Sequence, residues 1–226
     1  MTDQESRRAG GAQQIPRPPA WQRGDLAPPA AHPLTVTVDA VAGVLAGLPA
    51  GPPVAPAFPD SRNSAVLVVL ADGAQGAEVL LTRRSVHLRH HKGEISFPGG
   101  RVDRGETSVE AALREAHEEV GLDPVAVTVI GELDHLNTIV SNSYIVPVVG
   151  RVPSLLPLGP ASPEVERVFW LPLAELVRPD TYRTEIWGRD PTDRLLHFFE
   201  LEDETVWGAT ANVLIDLLGR VAAAAR

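Results

Sequence analysis

Two apolar runs rich in Val and Leu, SAVLVVLAD (64–72) and AEVLLTRR (77–84), stand on either side of the tetrapeptide GAQG (73–76). Short continuous apolar runs bounded by turn residues predict neighbouring strands of a buried sheet joined by a tight turn. Further strand candidates follow at 125–133, 143–152 and 165–173, and residues 181–189 and 195–202 read as another hairpin. A short helix is expected from about Val38 to Leu48, closed by Pro49, and an amphipathic helix over 210–225 carries Val213, Leu214, Leu217, Leu218 and Val221 on one side. Strands interleaved with two or three helices predict an α/β fold with a mixed sheet covered on both faces.

Between the first strands and the later ones lies a helix with well-marked ends. Thr107 and Glu110 fit a capping box, and Gly121 stands where a glycine ends a helix. Val109, Ala112, Leu113, Ala116 and Val120 recur at the spacing of a core-facing stripe, with Glu115, Glu118 and Glu119 on roughly the opposite side. Like charges at i, i+4 cost about 0.2–0.5 kcal/mol per pair, so such a face is either simply solvated or organised around a cation. Glu110 and Arg114 are spaced for an i, i+4 ion pair.

The bulk numbers exclude several classes. A net charge of −9 argues against a broad nucleic-acid-binding surface, and the absence of cysteine excludes disulfides, thiolate metal sites and cysteine nucleophiles. No run approaches the roughly 18 apolar residues of a membrane span, and residues 1–19 lack the apolar core of a signal peptide, so a cytoplasmic location is expected. Residues 1–33, rich in Pro, Ala, Gly and Gln, read as a flexible tail that activity does not need. Residues 34–59 read as a short helix and linker, leaving 60–226 as the folded domain.

The spacing Gly100, Glu106, Arg114-Glu115, Glu118-Glu119, Gly121 resembles the Nudix box of the Nudix hydrolases. These seven positions would coincide by chance with a probability on the order of 10⁻⁶ from average residue usage. Ala116 stands where the box usually has a bulkier aliphatic residue. The resemblance implies a Nudix-like α/β/α sandwich with a mixed, curved β-sheet between helices, and hydrolysis of a phosphoanhydride by water. It assigns metal binding to Glu118 and Glu119, with Glu115 as a further ligand or the base and the Gly99 carbonyl as a ligand from the preceding loop. Glu106 and Arg114 would pair to hold loop against helix. Carboxylate oxygens suit Mg²⁺ or Mn²⁺, the expected cofactors.

Upstream, Leu80-Leu81-Thr82, Arg84-Ser85, Arg89, Gly93 and Phe97-Pro98-Gly99-Gly100 fill every fixed position of the pattern of one subgroup, the coenzyme A pyrophosphatases. SNSYIVPVVG (141–150) and VWGATA (206–211) resemble later segments of the same subgroup. That implies a small-molecule substrate, coenzyme A (CoA) or a related nucleotide diphosphate, with Arg84, Arg89, His91, Ser96 and Phe97 as substrate contacts. His90 and Lys92 lie in the same basic run, though Lys92 matches no fixed position. No nucleic acid and no membrane is expected as a partner, and a homodimer is left open. Glu164, and with less weight Glu166, would add a second acidic contribution to catalysis, although Ser162-Pro163 also reads as a helix cap with first-turn acids. Asp134, His135 and Asn137 either line the cleft or belong to a surface loop. The competing functions are a Nudix activity on ADP-ribose or a dinucleotide, a non-catalytic nucleotide sensor, and an interaction protein acting through its Pro-rich tail.

Overall fold

The two apolar runs form an antiparallel hairpin, β2 (Arg62–Gly73) and β3 (Gly76–Arg84), whose residues from Leu67 to Ala71 and from Val79 to Leu81 are fully buried. Burial on both faces explains why these strands read as unbroken apolar runs rather than alternating ones. The computed structural model describes residues 8–47, 54–138, 142–188 and 194–224. In chain order the other elements are β1 (Trp21–Gly24), α1 (Val38–Gly47), β4 (Ile95–Ser96), β5 (Gly99–Arg101), α2 (Ser108–Val120), β6 (Thr128–Glu132), β7 (Leu136–Thr138), β8 (Ser143–Arg151), β9 (Val165–Pro172), α3 (Leu173–Leu176), β10 (Tyr182–Trp187), β11 (Arg194–Glu200), β12 (Thr205–Trp207) and α4 (Gly208–Ala224). The closing residues expected for the first helix, Leu48 and Pro49, lie outside the described residues.

The strands make two sheets rather than the single one expected. The larger has the path β4-β3-β2-β8-β6, with β5 on β2, β7 on β8 and β9 on β3; the smaller runs β1-β10-β11-β12. Within the larger sheet β2 and β8 pair in parallel, and every other ladder among the described residues is antiparallel. Helix α2 covers one face, where Ala111, Ala112, Ala116 and Val120 meet Ala65, Leu67, Val69, Val146 and Val148. Helices α1 and α4 and the inner face of the small sheet cover the other, with Val41, Leu45, Leu214, Leu217, Leu218, Phe199 and Val206 in one core. Each such Leu or Phe contributes about 1.5–3 kcal/mol by leaving water. The layering is the expected α/β/α arrangement.

Residues 8–33 depart from the expected free tail. From Arg8 onward the segment lies along the outer face of the small sheet. Gly10 N donates to Leu201 O at 3.0 Å, Gln13 Nε2 to Glu204 Oε2 at 2.5 Å, and β1 adds an antiparallel strand to β10. Arg17 Nε donates to both carboxylate oxygens of the buried Glu185 (2.8 and 3.0 Å), and its guanidinium sits over Phe198. The composition offers little to bury, but the segment finds its partners in two acids, Glu185 and Glu204, that are buried in the folded chain. The linker is also attached, since Asn137 accepts from Ala57 N and donates to Ala55 O, both at 2.9 Å.

Candidate active site

Local chemistry sets the ends of α2. Thr107 Oγ1 accepts from Glu110 N at 3.2 Å, Glu110 Oε2 accepts from Thr107 N at 2.8 Å, and Gly121 terminates the helix at φ 73°. Because Glu110 is committed to the cap, it does not pair with Arg114 as its spacing suggested. Arg114 instead forks onto Glu106, Nε to Oε1 at 2.9 Å and Nη2 to Oε2 at 3.1 Å, and Nη2 also reaches Arg101 O at 3.0 Å. Those bonds hold Glu106 below the usual carboxylate range and tie β5 and the loop after it to the middle of the helix.

The three glutamates do not share one solvated face. Glu118 is exposed, with Arg114 Nη1 at 3.4 Å. The Glu115 side chain is 18% exposed and takes the same Nη1 at 3.0 Å. Glu119 is buried, and Gly99 N donates to its Oε2 at 3.1 Å. Burial pushes the Glu119 carboxyl up to about 7; the Gly99 N–H and the Arg84 charge oppose this, while Glu115 and Glu164 reinforce it. Burial raises Glu115 as well, against the pull of Arg114. The Ala stripe explains the depth of Glu119: residues 111, 112 and 116 are small, so the helix sits close to the sheet and draws position 119 under the loop.

Two glycines make that approach feasible. A Cβ on Gly100 would lie 2.5 Å from the Glu115 carboxylate, and one on Gly99 would lie 2.4 Å from Ala65 O and 2.6 Å from the Val66 Cα. Gly99→Ala is expected to force β5 away from β2 and to draw its N–H off Glu119. Overpacking of this kind costs about 1–3 kcal/mol, and turnover should fall further than that destabilisation explains. Thermal melting and kcat measured on the same sample check this; wild-type kcat would show that the loop position is immaterial.

The basic run ends at the same place. Past a bulge between Arg83 and Arg84, Arg84 Nη2 comes within 3.9 Å of Glu164 Oε2, and Ser85 N donates to Glu164 O at 2.7 Å. The Arg84 Nε is buried without a hydrogen-bond partner. Arg84, Glu115, Glu119, Glu164 and the Gly99–Gly100 turn are therefore neighbours. Ser162 caps no helix; its Oγ accepts from Glu164 N at 3.2 Å in a turn that leads directly into β9.

Most of the other expected contacts are engaged within the protein, and a few are open on the loop after β3. Phe97, read as a substrate contact, is 3% exposed and belongs to the core beneath the loop, because its neighbour Pro98 is bonded into β2 through Leu67 N. Ser96 Oγ is hydrogen-bonded to Thr82 Oγ1 at 3.0 Å. His91, at φ 55°, holds Glu94 at 2.9 Å, which raises its pKa, and Arg89, His90 and Lys92 are exposed on the same loop. Glu166 pairs with Arg83 at 3.3 Å. Asp134 bonds to Asp216 and Arg220 of α4, while His135 bridges Glu132 and Tyr144.

The sequence reading missed two supports of the loop. Thr210 Oγ1 donates to Ile95 O at 2.9 Å and Thr82 Oγ1 to Ser96 O at 3.1 Å, pinning β4 and the turn behind it. The VWGATA run marked the neighbourhood of Thr210 but not its partner, which lies 115 positions away.

The donor chemistry fits a hard divalent cation: Glu115 and Glu119 offer carboxylate oxygens, and Glu119 is buried with one N–H donor. Among the described residues no three acidic or histidine side chains converge as a ready metal cage, and Glu118 is turned to Arg114. No helix among the described residues is long and apolar enough to cross a membrane.

Comparison with known proteins agrees with this geometry. Residues 61–195 match the NUDIX domain family. The uncharacterized Nudix hydrolase NudL of Escherichia coli O7:K1 is 42% identical over 159 residues, covering 69% of this chain and 81% of that protein. NudL of Salmonella paratyphi B is 39% identical over 165 residues, covering 70% and 82%. A MutT/nudix family protein from Enterococcus faecalis shares the fold at a TM-score of 0.50 and 18% identity, over 74% of this chain and 64% of that one. The chain belongs to the Nudix hydrolase family.

Proposed function

We propose that, among the nucleoside diphosphate derivatives on which Nudix hydrolases act, this chain cleaves the diphosphate of CoA or its derivatives, giving 3′,5′-ADP and 4′-phosphopantetheine or its acyl form. The observation that carries the reading is the Arg84 guanidinium, which lies 3.9 Å from Glu164, exerts its charge on Glu119 and keeps part of its side chain open to solvent. An arginine so placed is a ready partner for phosphate oxygens. The filled motif from Leu80 to Gly100 supports it, and Arg89 on the exposed loop adds a second cation within the same run.

Glu115, Glu119 and the Gly99 carbonyl, joined by Glu118 once it leaves Arg114, would hold Mg²⁺ or Mn²⁺, which would neutralise diphosphate charge and lower the pKa of a bound water. Arg114 and Glu106 fix the loop and helix that carry these groups. The Gly99 N–H holds Glu119 in place, and Glu164 is available at the rim to take the proton of the attacking water. Arg84 and Arg89 meet phosphate charge that the acidic side does not cover.

If one of these arginines contacts the 3′-phosphate, its loss should penalise CoA more than 3′-dephospho-CoA. Hydrogen bonds to charged groups contribute about 1.5–3 kcal/mol, so preference should fall roughly ten- to hundredfold. The check is kcat/KM on both substrates with wild type, Arg84→Ala and Arg89→Ala. Equal losses would assign the arginines to the diphosphate instead. Clear preference of the wild type for ADP-ribose would overturn the CoA reading and favour the wider Nudix alternative.

A further inference from the structure

Arg83 and Arg167 face each other in register across β3 and β9, an arrangement in which like charges destabilise the pairing. Immediately beyond them the register slips, so that Arg84 stands opposite Val165. The slip sits where the strands release Arg84 on one side and Glu164 on the other. Bulges of this kind re-aim side chains, and this one is subject to the repulsion just behind it.

One buried side chain offsets that repulsion. Glu204, whose side chain is 1% exposed, accepts from Arg83 Nη1 and from Arg167 Nη1 through the same Oε1, each at 2.8 Å. Its Oε2 accepts from Gln13 of the N-terminal segment, and the Gln13 Oε1 accepts from Thr205 N at 3.0 Å. Glu166 and Asp203 complete the set at the exposed ends of the two arginines, at 3.3 and 2.6 Å. None of Glu204, Arg83, Arg167 and Gln13 occupies a fixed position of the motifs that identify the site.

We propose that Glu204, completed by Gln13, is a positioning residue for the substrate side of the site: by clamping Arg83 to Arg167 it holds the bulge closed and sets the direction of Arg84. This rests on the reading of Arg84 as a substrate contact. Without the clamp the two cations move apart, and Arg84 leaves the line to the bound phosphate while α2 and its glutamates stay in place. The effect therefore falls on substrate binding rather than on the acidic cluster.

A double-mutant cycle tests this, with CoA and ADP-ribose both offered as substrates. Glu204→Gln is expected to raise KM about tenfold with a smaller change in kcat, the size expected when one hydrogen bond to a charged group is weakened. In the Arg84→Ala background the same substitution should change KM by less than about twofold, because the group it positions is gone. Gln13→Ala, which leaves Glu204 with both arginines, should show the same pattern at reduced size and serves if Glu204→Gln does not fold. A lowered melting temperature with unchanged KM, or effects that multiply in the double variant, would reduce Glu204 to a structural ion pair and overturn the proposal. Turnover of ADP-ribose but not CoA would overturn the substrate reading alone, leaving the cycle to be read on ADP-ribose.

Discussion

Glu119→Gln is expected to lower kcat by roughly 10²- to 10³-fold, the range seen when one preorganised electrostatic group is removed from an active site. The fold should hardly notice. Glu119 is buried with a single N–H donor and two other carboxylates among its neighbours, so its charge is a burden to the metal-free protein. Glutamine keeps the size and the acceptor for Gly99 N–H while removing that charge. Melting of the metal-free variant should therefore be no lower than that of wild type. Titrating Mg²⁺ and Mn²⁺ against kcat separates lost affinity from lost chemistry, and near wild-type kcat at saturating metal would remove Glu119 from the site.

The second large effect is expected at the N-terminal end of the chain. A protein beginning at Asp25 lacks Gln13, Arg17 and β1, so Glu185 keeps Arg183 and Trp187 but loses Arg17, Glu204 keeps Arg83 and Arg167 but loses Gln13, and β10 loses its neighbouring strand. Hydrogen bonds to charged groups contribute about 1.5–3 kcal/mol each, so losing them together with the β1 ladder removes a large share of the stability of a domain this size. The urea midpoint of the shortened chain should fall accordingly. An unchanged midpoint would show that the N-terminal segment merely rests on the small sheet. We expect the folding unit to begin near Arg8 rather than near residue 60, where the change in sequence texture suggested a boundary.

That difference shows what a single sequence can carry. The hairpin of β2 and β3, the caps of α2 and the apolar stripe of α4 are local patterns, written in neighbouring residues, and each was legible. The constellation from Gly100 to Gly121 was legible for the same reason, since nearly all of it lies on one loop and one helix. The seating of Glu119 was not, because its depth depends on how closely three alanines let the helix approach the sheet. Phe97 was misread because an aromatic next to a glycine turn looks the same whether it faces a ligand or the core. The small sheet's acids gave no signal at all: Arg17 and Glu185 are 168 positions apart, and only the folded chain brings them together.

The parallel pairing of β2 with β8 has a consequence for the order in which the molecule comes together. Arg62 stands beside Ser143, so this ladder must close a loop of roughly eighty residues before its first contact forms. Helix α2, with both caps encoded locally, lies inside that loop and is able to form early. Its glutamates nevertheless remain an ordinary solvated helix face until the long-range ladder has closed and brought α2 against the sheet. Contacts of such sequence separation form slowly, and the candidate site on α2 is accordingly among the last parts of the chain to be assembled.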